Sequence, residues 1–219
     1  PYLDLMLRAK DFAPDKILKD IPCTGVVTAD VRVTGTLAAL SAAGRLTAMA
    51  GTVYDVPFTN AAADVSYADG VVSFAHLTAE AFGGRIAGEG VFRAAERSYT
   101  AHLTADGVQL ARLRTDAGAP LPEDMDGALH ADLGITGRGA ERAALEVYGS
   151  AALLDGMYCG IPVERANASF VLKGNDLTLD FLSMKLPHGT DLGIEGKITG
   201  GSALDLRLYG AHVDLSLLN

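Results

Sequence analysis

The chain has no tryptophan, only two cysteines, and no apolar run near the roughly 18 residues that a membrane span requires. No signal peptide of the usual three-part kind is visible either. A basic stripe is also missing. The net charge is −9 and the pI about 4.9, so nothing is positioned to neutralise a nucleic-acid backbone. Cys23 and Cys159 lie far apart and outside any CxxC or Cys/His pattern, and read as two unrelated semi-buried thiols. A disulfide in an oxidising compartment stays open, because sequence alone does not place the two Cα atoms within bonding reach.

Reactive constellations are equally scarce. His76, His102, His130, His188 and His212 share no HExxH or helical i, i+4 spacing, so no metal site is expected. "GGRIAGEG" (83–90) lacks the Gly-Lys-Ser/Thr ending of a phosphate loop and leads into no helix. Bulges or tight curvature explain its glycines better. No GxSxG elbow occurs. The acids of "PEDMD" (122–126) only loosely match calcium-loop spacing and read as a solvated loop, and Asn167-Ala-Ser is a glycosylation-like triplet without meaning in a bacterial chain. The chain is not expected to be an enzyme, and no cofactor is called for.

What is present is apolar and repetitive. With 49% hydrophobic and 21% charged residues the chain can bury a core, so disorder is not expected. It starts at Pro1 rather than Met and begins and ends inside a repeated phrase, and so reads as a piece of something longer. That phrase is "LTADGVQL" (103–110), met again as "LYGAHVDL" (208–215) and more loosely as "LRAKDF" (7–12). "DVPFTNAAADVSYADGVVSF" (55–74) lies over "GIPVERANASFVLKGNDLTL" (160–179), "IAGEGVF" (86–92) over "LGIEGKI" (192–198), and "VVTADVRVTG" (26–35) over "ALHADLGITG" (128–137). Two units, 1–97 and 98–202, and the start of a third, 203–219, are the expected organisation.

Within each unit the apolar residues alternate with period two, the mark of half-buried strands. Val27, Val31 and Val33 lie over Leu129, Leu133 and Ile135; Val65 and Tyr67 over Phe170 and Leu172; Val72, Phe74 and His76 over Leu177, Leu179 and Phe181; Ile86 and Phe92 over Leu192 and Ile198. A one-residue slip would turn every side chain over, so the agreement implies one preserved sheet face. Asp69-Gly70, Gly83-Gly84, Gly174-Asn175 and His188-Gly189 punctuate the runs as hairpin turns. About seven strands per unit, joined by short connections, make an antiparallel meander. Short helices are expected at 13–20 and 108–115, where each unit begins. An apolar face of this size needs cover: either a sandwich with a dry core, or an open U whose trough something else fills. The unbroken series of short connections favours the trough, since Greek-key sandwiches use longer crossings.

The phrase "YTAHLTADGVQLARL" (99–113) and the block "GTVYDVPFTNAAADVSYADGVVSFAHLTAEAFGGRIAGEG" (51–90), with its later counterpart, resemble the AsmA/TamB superfamily of envelope proteins, closest to its TamB branch. The resemblance covers essentially the whole chain and rests on rhythm, not on catalytic motifs. It implies a β-taco, an elongated antiparallel sheet curved around a hydrophobic groove. The implied setting is the periplasm, in a parent anchored in the inner membrane that bridges to the outer one. The implied role is conduction of phospholipid during outer-membrane biogenesis, and the implied partner is a BamA-like barrel of the TamA type, reached through regions outside this chain. On this expectation the groove is lined by Val27, Val31, Val33, Val65, Tyr67, Val72, Phe74, Ile86, Phe92, Leu103, Leu129, Leu133, Ile135, Phe170, Leu172, Leu177, Leu179, Phe181, Leu192, Ile194, Ile198, Leu206 and Leu208. A lipid tail desolvated there gains roughly 0.8 kcal/mol per buried CH₂. The alternative is a structural or adhesive surface β-repeat with a closed core. Open edges are expected at about Tyr2–Ala9 and Ala203–Leu208.

Overall fold

Runs alternating between apolar and polar residues, cut by short turn sequences, fold as hairpins in the computed structural model, which describes residues 2–14, 22–118, 121–139, 142–158 and 160–211. The strands are β1 (Tyr2–Phe12), β2 (Cys23–Thr36), β3 (Ala39–Val53), β4 (Val56–Ala68), β5 (Val71–Ala81), β6 (Gly84–Arg93) and β7 (Ser98–Gln109). One α-helix among the described residues, α1 (Leu110–Ala117), separates these from β8 (Asp126–Arg138), β9 (Glu146–Tyr158), β10 (Ile161–Lys173), β11 (Asp176–Lys185), β12 (Asp191–Thr199) and β13 (Ala203–Ala211). No helix among the described residues is long and apolar enough to cross a membrane.

All 13 strands belong to one antiparallel sheet whose spatial order is the chain order, β1 to β13. The sheet is not closed: β1 and β13 are its edges among the described residues. Tight turns hold the meander in register. Tyr54-Asp55 (φ 50°, 64°), Asp69-Gly70 (50°, 76°) and Phe82-Gly83 (54°, 76°) all place two consecutive residues in the left-handed region. That is the geometry whose twist matches the flanking strands. At the end of the sheet where β6 and β7 join, the turns are also tied to one another. Ala94 N–H donates to Gly70 O (2.9 Å), Gly139 N–H to Arg97 O (2.8 Å) and Gly174 N–H to Leu145 O (2.9 Å).

Six strands, not about seven, lie in each of the stretches 1–97 and 98–202, and β13 opens the last. The overcount has a physical cause. Long strands here contain β-bulges, which break the alternation and make one strand read as two. Register shifts occur between Ala9 and Phe12, Phe74 and Leu77, Ala105 and Val108, and Leu179 and Leu182. Asp11 (φ 53°), Asn60 (51°), His76 (50°) and Asp155 (47°) are left-handed residues inside strands. Each bulge bends its strand and raises the local twist.

Buried side chains are few: Ala63, Val108, Leu110, Leu153, Val163, Ala166, Leu186 and Thr190. Most gather around α1. Leu110, Leu153, Val163, Ala166 and Leu186 form one cluster, ringed by Leu121, Met125, Leu129, Ile161, Leu182, Met184 and Leu192. Helix α1 starts two residues later than the spacing predicts, has no side-chain N-cap, and ends on Gly118 (φ 63°, ψ 28°), whose N–H reaches Leu113 O. Arg114 fastens the "PEDMD" loop, donating to Pro122 O (2.6 Å), Glu123 O (3.0 Å) and Met125 O (3.4 Å). The helix expected at 13–20 and the pairing of Cys159 lie outside the described residues, as do His212 and the end of the third phrase.

Candidate functional site: one uncovered apolar face

Residues paired across an antiparallel ladder point to the same side of the sheet, so the register assigns each side chain to a face. One row can be followed from edge to edge: Leu7, Val31, Gly44, Val65, Phe74, Gly90, Ala101, Ile135, Val147, Leu172, Leu177, Ile198 and Leu204. Every member is apolar. At about 4.8 Å per strand the row runs for roughly 58 Å. A neighbouring row reads Gly88, Leu103, Leu133, Gly149, Phe170, Leu179, Gly196 and Leu206.

Glycines recur in these rows for a steric reason. The Tyr99 ring lies where a Cβ on its partner Gly137 would stand, and Leu103 lies over Gly88 in the same way. Large side chains therefore lean across the vacant positions and keep the face continuous. Of the "GGRIAGEG" glycines, Gly88 is covered in this way, Gly83 makes a left-handed turn, and Gly88 and Gly90 flank the bulge on the β5 side. β6 pairs with β7 without a register shift, so no bulge is involved on that side.

The opposite face is charged and tied across strands. Arg32 donates twice to Asp4 (2.8 and 2.6 Å), and Arg8–Asp30 (3.3 Å), Arg45–Asp64 (3.6 Å), Lys173–Glu146 (3.1 Å) and Arg207–Glu195 (3.7 Å) are cross-strand ion pairs. The Arg32 hydrogen bonds hold the Asp4 carboxyl below the usual carboxylate range. Three histidines join this face: His76–Asp64 (2.9 Å), His102–Asp132 (2.7 Å) and His130–Asp106 (2.7 Å). Asp106, the acid of "LTADGVQL", is thus half of a surface pair at the place where β7 leads into α1.

Of the expected lining residues, Val27, Val31, Val33, Val65, Tyr67, Val72, Phe74, Ile86, Phe92, Leu103, Leu129, Leu133, Ile135, Phe170, Leu172, Leu177, Leu179, Leu192, Ile194, Ile198, Leu206 and Leu208 all fall on the apolar face by register. Phe181 does not. It pairs with Ser169 on the charged side, because a bulge precedes Leu182 and reverses the alternation. His76 occupies the matching bulge in β5. Expected half-buried on the apolar face, it is instead 82% exposed and bound to Asp64. The equivalence of the two positions is real, but strict period two put both on the wrong side.

Leu3, Leu5 and Leu7 on β1, Leu46 on β3 and Leu204 on β13 belong to the apolar face and escaped the sequence reading. The alternation of "LDLML" was the available signal. Most of the face is half-buried, and its larger members stand well exposed: Leu7 54%, Phe74 38%, Leu208 69%. α1 and the loop after it pack over residues of β8–β12, and α1 also touches β7 and β4. A cavity of about 760 Å³ among the described residues has a mixed lining, with Asn60, Glu80, Arg85 and Arg112 beside Phe58 and Phe82. No group of three or more metal-ligating side chains occurs among the described residues. Comparison with family models, with curated proteins and with solved structures gives no match.

Proposed function

We propose that the apolar face is the inner wall of a groove that carries acyl chains, and that the chain is a segment of a periplasmic bridge conducting phospholipid between membranes, as in the AsmA/TamB superfamily it resembles. The observation that supports this most is the thirteen-residue apolar row left without protein cover. Among the described residues only eight side chains are buried, most of them in the cluster beside α1, which does not account for such a row. Bulges that bend the strands favour a curved wall over a flat one. The row offers a tail many equivalent weak positions and no deep pocket, which suits sliding. The two units of 1–97 and 98–202 then carry the wall forward by repetition.

The test is photo-crosslinking in cells, with the residue analogue placed at Phe74, Ile86, Leu179 and Ile194 on the apolar face and at Thr178 on the charged one. Phospholipid adducts are expected at the first four and not at Thr178. A functional protein giving no lipid adduct at any apolar site would end this reading.

A further inference from the structure

The rim where β6 turns into β7 and β8 ends gathers three arginines. Arg93 is paired in register with Ser98, Ser98 with Arg138, and Arg97 sits in the turn one residue before Ser98. Arg93 and Arg138 are thus two strand spacings apart, about 10 Å. All three are exposed. Among the described residues none of them lies within ion-pair distance of a carboxylate. Arg138 spends only its Nε–H, on Glu96 O (2.9 Å), and the Glu96 carboxylate itself accepts from Ser98 Oγ (3.1 Å). In a chain of net charge −9, where Arg8, Arg32, Arg45 and Arg207 hold acids across strands, three guanidinium groups gathered here with no carboxylate partner among the described residues make a local positive patch.

The patch borders the apolar face at its aromatic corner. Phe92, next to Arg93, pairs with Tyr99, and Tyr99 lies over Gly137, next to Arg138. By register Arg93 and Arg138 leave the sheet on the side opposite Phe92 and Tyr99, so their long side chains meet the polar end of a tail lying on those rings by reaching around this rim. The turns that present the arginines are stitched by the Ala94–Gly70 and Gly139–Arg97 backbone hydrogen bonds, so the patch is held in place. Guanidinium forks match phosphate oxygens in charge and geometry.

We infer that Arg93, Arg97 and Arg138 receive the phosphate of a glycerophospholipid whose acyl chain lies on the apolar face beside them. This rests on the groove reading above. The test measures binding of two probes with the same fluorescent tail, a phosphatidylglycerol and a diacylglycerol lacking the phosphate, to the full chain and to a variant carrying Arg93→Gln, Arg97→Gln and Arg138→Gln. The phosphatidylglycerol is expected to bind about tenfold tighter than the diacylglycerol, and the triple variant to lose that preference. Diacylglycerol binding should stay unchanged in the variant, which also shows that it folds. Millimolar inorganic phosphate should not displace the lipid. A preference that survives in the variant, or equal binding of both probes by the original chain, overturns the rim site and leaves the groove intact. Displacement by inorganic phosphate makes the patch a free-anion site and also overturns the inference. Failure of both probes to bind overturns the groove and the rim together.

Discussion

His76 sits inside β5 at φ 50°, a conformation that costs a residue with a Cβ and costs a β-branched one most. Its exposed contact with Asp64 (2.9 Å) offsets little, since surface contacts of this kind contribute at most about 1 kcal/mol. Backbone fit therefore outweighs charge at this position. His76→Val should lower unfolding stability by about 1–2 kcal/mol, and His76→Gly should be near neutral, as measured by denaturant titration. Equal losses in the two variants would show that the side-chain pair, and not the bulge, sets the preference. The same residue marks the limit of legibility. Period two identifies a face only while the strand stays regular, and no side-chain pattern around "FAHLT" or "LDFLS" announces where an extra residue enters. Phe181 was assigned to the wrong side for that reason alone.

At the scale of elements, the antiparallel strands and several of the turns between them were legible, because turn residues and alternation agree, although the strands were overcounted. The face of almost every strand followed, as Val31, Gly44 and Val65 in one row illustrate. The short helix was legible from "VQLARLRT" only as an interruption. What it covers was not, since the partners of Leu110 come from strands forty to eighty residues away. An eight-residue helix without a side-chain cap is unstable by itself, so its packing must hold it. Leu110→Ala should cost about 2–4 kcal/mol and expose α1 and the Arg114-bound loop to hydrogen exchange. Exchange in β2 and β3, which pack against neither α1 nor this cluster, should be unaltered. Uniform loss of protection across both groups would contradict a local core.

For the whole molecule, the open question in the sequence was what covers the apolar face, and periodicity has no bearing on that. The register answers the first half: protein covers the region near α1 and little else. The two edges matter at this scale as well. β13 is exposed along its whole length among the described residues and carries Leu204, Leu206 and Leu208 on the apolar side, with a ladder edge beside them that none of those residues pairs. Such an edge is a template for another strand. The chain alone is expected to self-associate in a concentration-dependent way by sedimentation velocity. Leu206→Lys should shift it toward monomer, and Thr47→Lys on the charged face should not. Equal effects of the two substitutions would assign association to net charge instead of the edge.

The strictly sequential strand order has a consequence for how the protein comes into being. Because each strand bonds only to its predecessor and successor, no pairing awaits a distant part of the chain. A hairpin can dock on the growing sheet as soon as it is synthesised, and stability accumulates by nearest-neighbour steps. Assembly is then vectorial, with one live edge that moves forward two strands at a time, and length can be added without redesigning anything already built.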